Sequence, residues 1–147
     1  MNCLRFLSKQ LDGLFWILVG STSLKLRGVD VTPSDIDIVT DLETISRIDQ
    51  RLERFRIRAP RYSEGSGFRS THAIYRVNGV KVDVMANIQF KSPYGWMSPR
   101  PYHVHHVESA GIQIPVLSLE DEVDAYQKMG RKEKAEKIIA FSTSSPS

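Results

Sequence analysis

The run Ser34-Asp35-Ile36-Asp37-Ile38-Val39 places two carboxylates two residues apart in a segment that otherwise has the apolar, β-branched make-up of a buried strand. Strand alternation puts both acids on one face. Carboxylates taken out of water without partners cost several kcal/mol or shift their pKa until they neutralise, so a strand carrying two of them presents them to a cation or a ligand. Thirteen residues before this run, Gly20-Ser21 ends the apolar stretch Leu14 to Val19. Strand, glycine turn and short helix then follow one another, and the free amides at such a helix start attract phosphate.

The flanking pattern supports an α/β (α+β) domain. Leu4, Leu7, Leu11 and Leu14 recur at helical spacing, and Gly13 ends that helix. Phe15 to Val19 reads as a strand, Ser21 as the N-cap of a helix to Arg27, and Asp35 to Thr40 as a second strand. Ile45, Ile48, Leu52 and Phe55 mark another helix, and the stretch from Arg58 to Gly67, with Pro60, Gly65 and Gly67, reads as a flexible loop able to act as a lid. Two strands, Thr71 to Val77 and Val80 to Ala86, meet at Asn78-Gly79, a strong signal for a tight hairpin. Val80, Val82 and Val84 share one face of the second, which leaves Lys81, Asp83 and Met85 on the other. A further hairpin is expected around Ala110-Gly111. A helix from Leu117 to Met129, capped by Ser118, and a last helix from Lys132 to Ala140 complete the pattern.

Length and charge narrow the classes. With 147 residues, 41% of them hydrophobic, the chain suits one domain over residues 1–141 and a flexible tail over 142–147. The six-residue run Leu14 to Val19 is far short of a bilayer span of about 20 residues, so no membrane is implied and a cytoplasmic location is expected. A lone cysteine, Cys3, allows no internal disulfide, and a buried free thiol is its expected state. The excess of 20 basic over 17 acidic residues, with a pI near 9.1, favours acidic partners such as nucleotides or RNA. Arg47, Arg51, Arg54, Arg56, Arg58 and Arg61 form one basic stretch, and Lys128, Arg131, Lys132, Lys134 and Lys137 a second; interspersed acids make solvated helix faces the plainer reading of the second.

Asp35, Asp37 and Asp83 can converge, and hard divalent cations relieve the repulsion of such a cluster. Val19-Gly20-Ser21, then Asp35-Ile36-Asp37 between apolar residues, then Val82-Asp83-Val84, together resemble the nucleotidyltransferase superfamily that includes DNA polymerase beta, and especially its small members of the antibiotic and toxin-antitoxin types. The resemblance covers residues 15–86, with a looser similarity over the C-terminal helices. It implies a mixed sheet carrying the carboxylates, with helices packed on it. It further implies two Mg2+ ions on Asp35, Asp37 and Asp83, a nucleoside triphosphate held by Gly20 and Ser21, and Asp83 as base for an acceptor hydroxyl, with pyrophosphate leaving. Lys25 or Arg27 would neutralise phosphate charge. The acceptor is left open among antibiotic-like small molecules, proteins and tRNA, and a homodimer or a helical partner protein is compatible with so small a chain. A noncatalytic nucleotide- or partner-binding module of the same fold is the alternative.

Plainer readings exist for individual residues. Asp35 suits a turn after Pro33, Asp37 an ion pair with an arginine, and Ser21 an ordinary helix cap. His103, His105 and His106 lack acids or cysteines at ligand spacing and read as exposed strand residues rather than a metal site. Tyr94, Trp96 and Tyr102 can stack a base, or simply pack their Pro/Gly-rich segment.

Overall fold

The computed structural model describes residues 2–144. Helix α1 (Asn2–Gln10) leads through Gly13, at φ +79°, into strand β1 (Ile17–Val19), helix α2 (Gly20–Leu26) and strand β2 (Ile36–Thr40). Helix α3 (Leu42–Arg51) is capped by Asp41, whose Oδ1 accepts from the Thr44 amide at 2.8 Å, and one 3-10 turn at Glu53–Phe55 follows. Strands β3 (Arg56–Glu64), β4 (Phe68–Val77), β5 (Val80–Ser92) and β6 (Gly95–Met97) form a meander, and β7 (Val104–Ser109) with β8 (Ile112–Leu117) makes the second hairpin. Helices α4 (Leu119–Lys128) and α5 (Lys132–Ser144) close the chain.

The strands form one mixed sheet in the order β3-β4-β5-β2-β1-β8-β7, with β6 added to β5. Pairing is parallel between β2 and β5 and between β1 and β8, and antiparallel elsewhere. Both hairpins turn as expected: Asn78 and Gly79, and Ala110 and Gly111, all have positive φ, the backbone a tight two-residue turn requires. One face of the sheet carries the larger core, in which Leu4, Leu7 and Leu11 of α1 and Ile45 and Ile48 of α3 pack with Leu18, Ile36, Ile38, Val82 and Val84. Each such buried aliphatic side chain contributes about 2 kcal/mol. A smaller cluster, built on Leu24, Val29, Tyr126, Ala135 and Ile138, fixes α4 and α5 to α2. Cys3 is a buried free thiol, as expected, with its Sγ 3.5 Å from the Val77 carbonyl, and burial raises its pKa.

Several expected boundaries move, each for a physical reason. The lid expected from Arg58 to Gly67 is mostly strand β3. It is an edge strand with no buried position, so its charged side chains hide the alternation that marks a half-buried strand, and Pro60 is tolerated there beside register shifts between Arg56, Arg58 and Arg61. Strand β5 continues past Ala86 to Ser92. Asn87, at φ +54°, bulges the strand where one residue of β4 (Ser70) opposes two of β5 (Asn87 and Ile88). The shift in parity puts Ile88 and Phe90 on the same side as Met85, in one cleft. Leu117 belongs to β8 rather than α4, whose N-cap is Ser118 as expected, its Oγ accepting from the Asp121 amide at 3.2 Å. Helix α5 extends to Ser144, so the first three residues of the expected tail are helical; residues 145–147 lie outside the described region.

Candidate active site

Asp37 and Asp83 are register partners on the adjacent parallel strands β2 and β5. Parallel pairing aims both carboxylates at the same side of the sheet, away from the valine-packed core. Like charges in direct register destabilise a sheet, so the arrangement needs a compensating cation or proton. Asp37 shows the strain: burial first, then the charges of Asp83 and Asp35, push its pKa up to about 6, with Lys81 and Lys134 opposing. Asp35 sits one residue before β2, and its carbonyl accepts from the Thr22 hydroxyl at 2.8 Å, which ties the acidic segment to α2.

Asp83, only 8% exposed, is held by its neighbours. Its Oδ1 lies 2.6 Å from His72 Nε2 and its Oδ2 lies 3.7 Å from Lys81 Nζ. His72 Nδ1 lies 2.6 Å from Nη2 of Arg58, which only donates. The ring proton therefore belongs on Nε2, and a chain of donors runs from Arg58 through His72 to Asp83. Residue type alone does not single out His72; its register opposite Met85 on β4 brings it beside Asp83.

The glycine turn is built tightly around Asp37. Gly20 has φ +75°, and a Cβ placed on it would lie 2.9 Å from Asp37 Oδ2, so no side chain fits. The Gly20 amide donates to both carboxylate oxygens of Glu122 on α4, at 3.1 and 3.2 Å. Glu122 is 3% exposed, and burial, with a smaller push from Asp37, raises its pKa to about 8, although the Gly20 amide, Lys134 and Arg27 act in the other direction. Ser21 is not the N-cap of α2: the helix starts at Gly20, which makes the turn itself, and the Ser21 hydroxyl instead accepts from Lys134 Nζ of α5 at 2.8 Å. Lys134, with Nζ 5.1 Å from the centre of the Tyr126 ring, has its pKa lowered, chiefly by burial. A cation thus stands beside Ser21, but it is supplied by α5, from the basic stretch that reads in sequence as a solvated face. Lys25 is exposed, and the Arg27 guanidinium donates to the Leu117 carbonyl at 3.3 Å and lies 3.5 Å from His105. No side-chain hydrogen bond joins either of these two cations to Ser21.

Asp37, Asp83, Gly20 and Glu122 border a cleft of about 280 Å3 between the sheet and α4; Asp35 and Ser21 lie outside its lining. Asp37 and Asp83 offer the hard oxygen donors that suit a divalent cation, and the raised pKa of Asp37 fits a place that favours added positive charge. Among the described residues, no three His, Cys, Asp or Glu side chains are already gathered as a metal-holding group. The hydrogen bond from His72 accounts for the turn of Asp83 toward β4.

The remaining conspicuous residues are committed elsewhere. The His103 amide donates to Asp121 Oδ2 at 2.6 Å, and Arg100 Nε to Asp121 Oδ1 at 2.6 Å, so that acid latches the 98–103 segment to α4. Trp96 lies under the Arg69 guanidinium at 4.3 Å, Tyr102 lines the cleft, and Tyr94 is 99% exposed. The arginine stretch is largely absorbed by the fold. Arg51 donates to the Gln10 and Asp12 carbonyls, Arg56 pairs with Asp49, Arg54 lies over the Phe55 ring, and Arg58 binds His72.

Comparison with known proteins agrees with this fold. The family model of aminoglycoside-2''-adenylyltransferases matches residues 6–141. A solved structure from Thermotoga maritima, assigned as a nucleotidyltransferase, superposes with a TM-score of 0.81 at 35% identity, over 98% of this chain and 92% of that one. ANT(2'')-Ia, solved with adenylyl-2''-tobramycin, shares the fold at a TM-score of 0.51 and 13% identity, over 97% of this chain and 94% of that one. Compared by sequence with curated proteins, the chain matches none. With the mixed sheet, the in-register aspartates and a family match over nearly its whole length, the chain belongs to the aminoglycoside-2''-adenylyltransferase family and is a small nucleotidyltransferase.

Proposed function

We propose that the chain transfers a nucleoside monophosphate from a nucleoside triphosphate to a hydroxyl of a small molecule, with release of pyrophosphate. The observation that carries this reading is the register pairing of Asp37 with Asp83 beside the Ser21–Lys134 contact. Asp35, Asp37 and Asp83 are the residues to hold Mg2+, which when bound supplies charge neutralisation at the α-phosphate and a more acidic acceptor hydroxyl. Lys134 and Ser21 bind the outer phosphates, a cation and a hydroxyl being suited to that anion. Asp83, oriented by the His72 N–H, takes the acceptor proton at Oδ1 or Oδ2 as the acceptor oxygen attacks phosphorus in line, and the bond to pyrophosphate breaks on the far side. Gly20 keeps the backbone close to Asp37, while its own amide is engaged by Glu122, so the phosphate contact falls to Ser21 rather than to Gly20. A cytoplasmic setting, where nucleoside triphosphates are abundant, agrees with this activity; no helix among the described residues is long and apolar enough to cross a membrane.

The test is transfer of label from α-labelled ATP to a panel of hydroxyl compounds with and without MgCl2, paired with Mn2+ binding followed by electron paramagnetic resonance. Both signals should vanish in an Asp35→Asn/Asp37→Asn variant. Full transfer by that variant would falsify the mechanism.

A further inference from the structure

Strand β3 sends two of its arginines to opposite faces of the sheet. Arg56 stands opposite Tyr75, which is fully buried in the larger core, and it pairs with Asp49 of α3 at 2.6 Å. Strand alternation would put Arg58 on that same face. Instead, one step along β4, from Tyr75 to Ile74, is matched by two along β3, from Arg56 to Arg58. The residue between them, Ile57, is 54% exposed, and the shift reverses the phase of the strand as a bulge does. Arg58 therefore comes opposite Ile74, Ile74 opposite Asp83, and Asp83 opposite Asp37, so a single row across four strands runs from this arginine to both carboxylates.

Stability does not explain the placement of Arg58. Among the described residues it pairs with no carboxylate: Nη2 donates to His72 Nδ1 at 2.6 Å, and Nε is buried without a partner. Partly burying a guanidinium against a neutral imidazole returns little of the hydration it gives up. The contact does govern the imidazole. A guanidinium carries donors only, so Nδ1 has to offer its lone pair, and the ring proton stands on Nε2, 2.6 Å from Asp83 Oδ1. In the other neutral tautomer the Nε2 lone pair would face a carboxylate oxygen at that distance. Two acceptors repel there, and Asp83 would have to turn away. The hydrogen bond made by one ring nitrogen thus decides what the other nitrogen presents.

We propose that Arg58 is a positioning residue of the site: by donating to His72 Nδ1 it selects the Nε2–H tautomer, and so keeps a hydrogen-bond donor on Asp83 Oδ1. Its part in the reaction rests on the transferase reading above, in which Asp83 takes the proton of the acceptor hydroxyl; its control of the tautomer does not. The register shift at Ile57 is what brings an edge-strand arginine to this task.

The test uses the full chain labelled with 15N-histidine, in EDTA at mildly alkaline pH. Long-range 1H–15N spectra distinguish the two tautomers by the shifts of the ring nitrogens, and His72→Gln identifies the His72 signals. Wild type should show His72 as Nε2–H alone. Arg58→Met removes the donor at similar length and should admit the Nδ1–H form, whereas Arg58→Lys keeps a donor and should retain Nε2–H. In steady-state transfer Arg58→Met should lower kcat about tenfold with KM for ATP within about twofold of wild type, and Arg58→Lys should recover most of the loss. A wild-type His72 that carries its proton on Nδ1 overturns the proposal, and that result does not depend on any variant folding. An unchanged tautomer in Arg58→Met overturns it too, as does release of the tautomer with kcat unaltered. A rise in KM at constant kcat would make Arg58 a phosphate ligand and also overturns it. Tautomer control by Arg58 in a wild-type chain that transfers no label supports the role of Arg58 toward His72 and refutes the transferase reading instead.

Discussion

Replacement of Glu122 by glutamine should make the protein more stable, by an amount that depends on pH. Glu122 is 3% exposed, and its pKa is raised from 4.5 to about 8, mainly by burial and secondarily by Asp37. A raised carboxyl pKa means that the folded protein binds a proton that the unfolded chain releases. Stability is then fully present below about 4.5 and is lost as pH climbs toward 8. At about 1.4 kcal/mol per pKa unit, the loss reaches roughly 3 kcal/mol by pH 7 and roughly 5 kcal/mol above pH 8. Glutamine keeps an oxygen for the Gly20 amide and has nothing to titrate. Urea unfolding of wild type and Glu122→Gln in EDTA, at pH 4.5, 6, 7.5 and 8.5, isolates this group, because the titration of all others largely cancels in the difference. The two proteins should be nearly equal at the lowest pH and separate by up to about 3 kcal/mol near neutrality, a shift of several degrees in Tm. A difference that stays flat across pH, or a variant less stable at pH 8.5, refutes the reasoning.

Gly20→Ala should lower stability by about 1–3 kcal/mol, through its φ of +75° and the 2.9 Å approach to Asp37 Oδ2, and should abolish transfer; thermal melts and the labelling assay read both effects. His72→Ala should reduce kcat about tenfold or more with little change in KM for ATP, and His72→Gln, which can still donate to Asp83, should recover part of the loss in steady-state kinetics. Lys134→Met should raise KM for ATP about tenfold, and Ser21→Ala less, since the cation supplies the greater share of the attraction to phosphate. Equal KM values for wild type and Lys134→Met would remove Lys134 from the triphosphate site.

Much of the strand pair that carries Asp37 and Asp83 was legible in sequence because short-range rules govern it. Alternation in Val80-Lys81-Val82-Asp83-Val84 predicts the face of Asp83, and Asn78-Gly79 predicts the hairpin that delivers it. Long-range partners were not legible. Glu122, Lys134 and His72 lie on α4, α5 and β4, and their roles depend on how those elements dock. In sequence, Glu122 reads as one of several first-turn acids that suit a helix dipole, and Lys134 as one charge in a mixed-charge helix. Strand β3 failed for the converse reason: an edge strand with both faces in water has no burial pattern to betray it. The partner of Arg27, the residue just after the short helix α2, was not legible either, because only the docking of β8 brings the Leu117 carbonyl to it.

The bulge at Asn87 divides β5 into two half-strands in different phase. Before it, Asp83 is locked in step with Asp37, so a one-residue shift would send the carboxylate into the core. Beyond it, the strand pairs only with β4 and the short β6, and the phase is already reset. Insertions and substitutions from Ile88 to Ser92 can therefore reshape the wall of the cleft without dislodging the aspartates. A lineage built on this sheet keeps one half of β5 fixed by its partner strand and has, from five residues after Asp83, a second half free to vary.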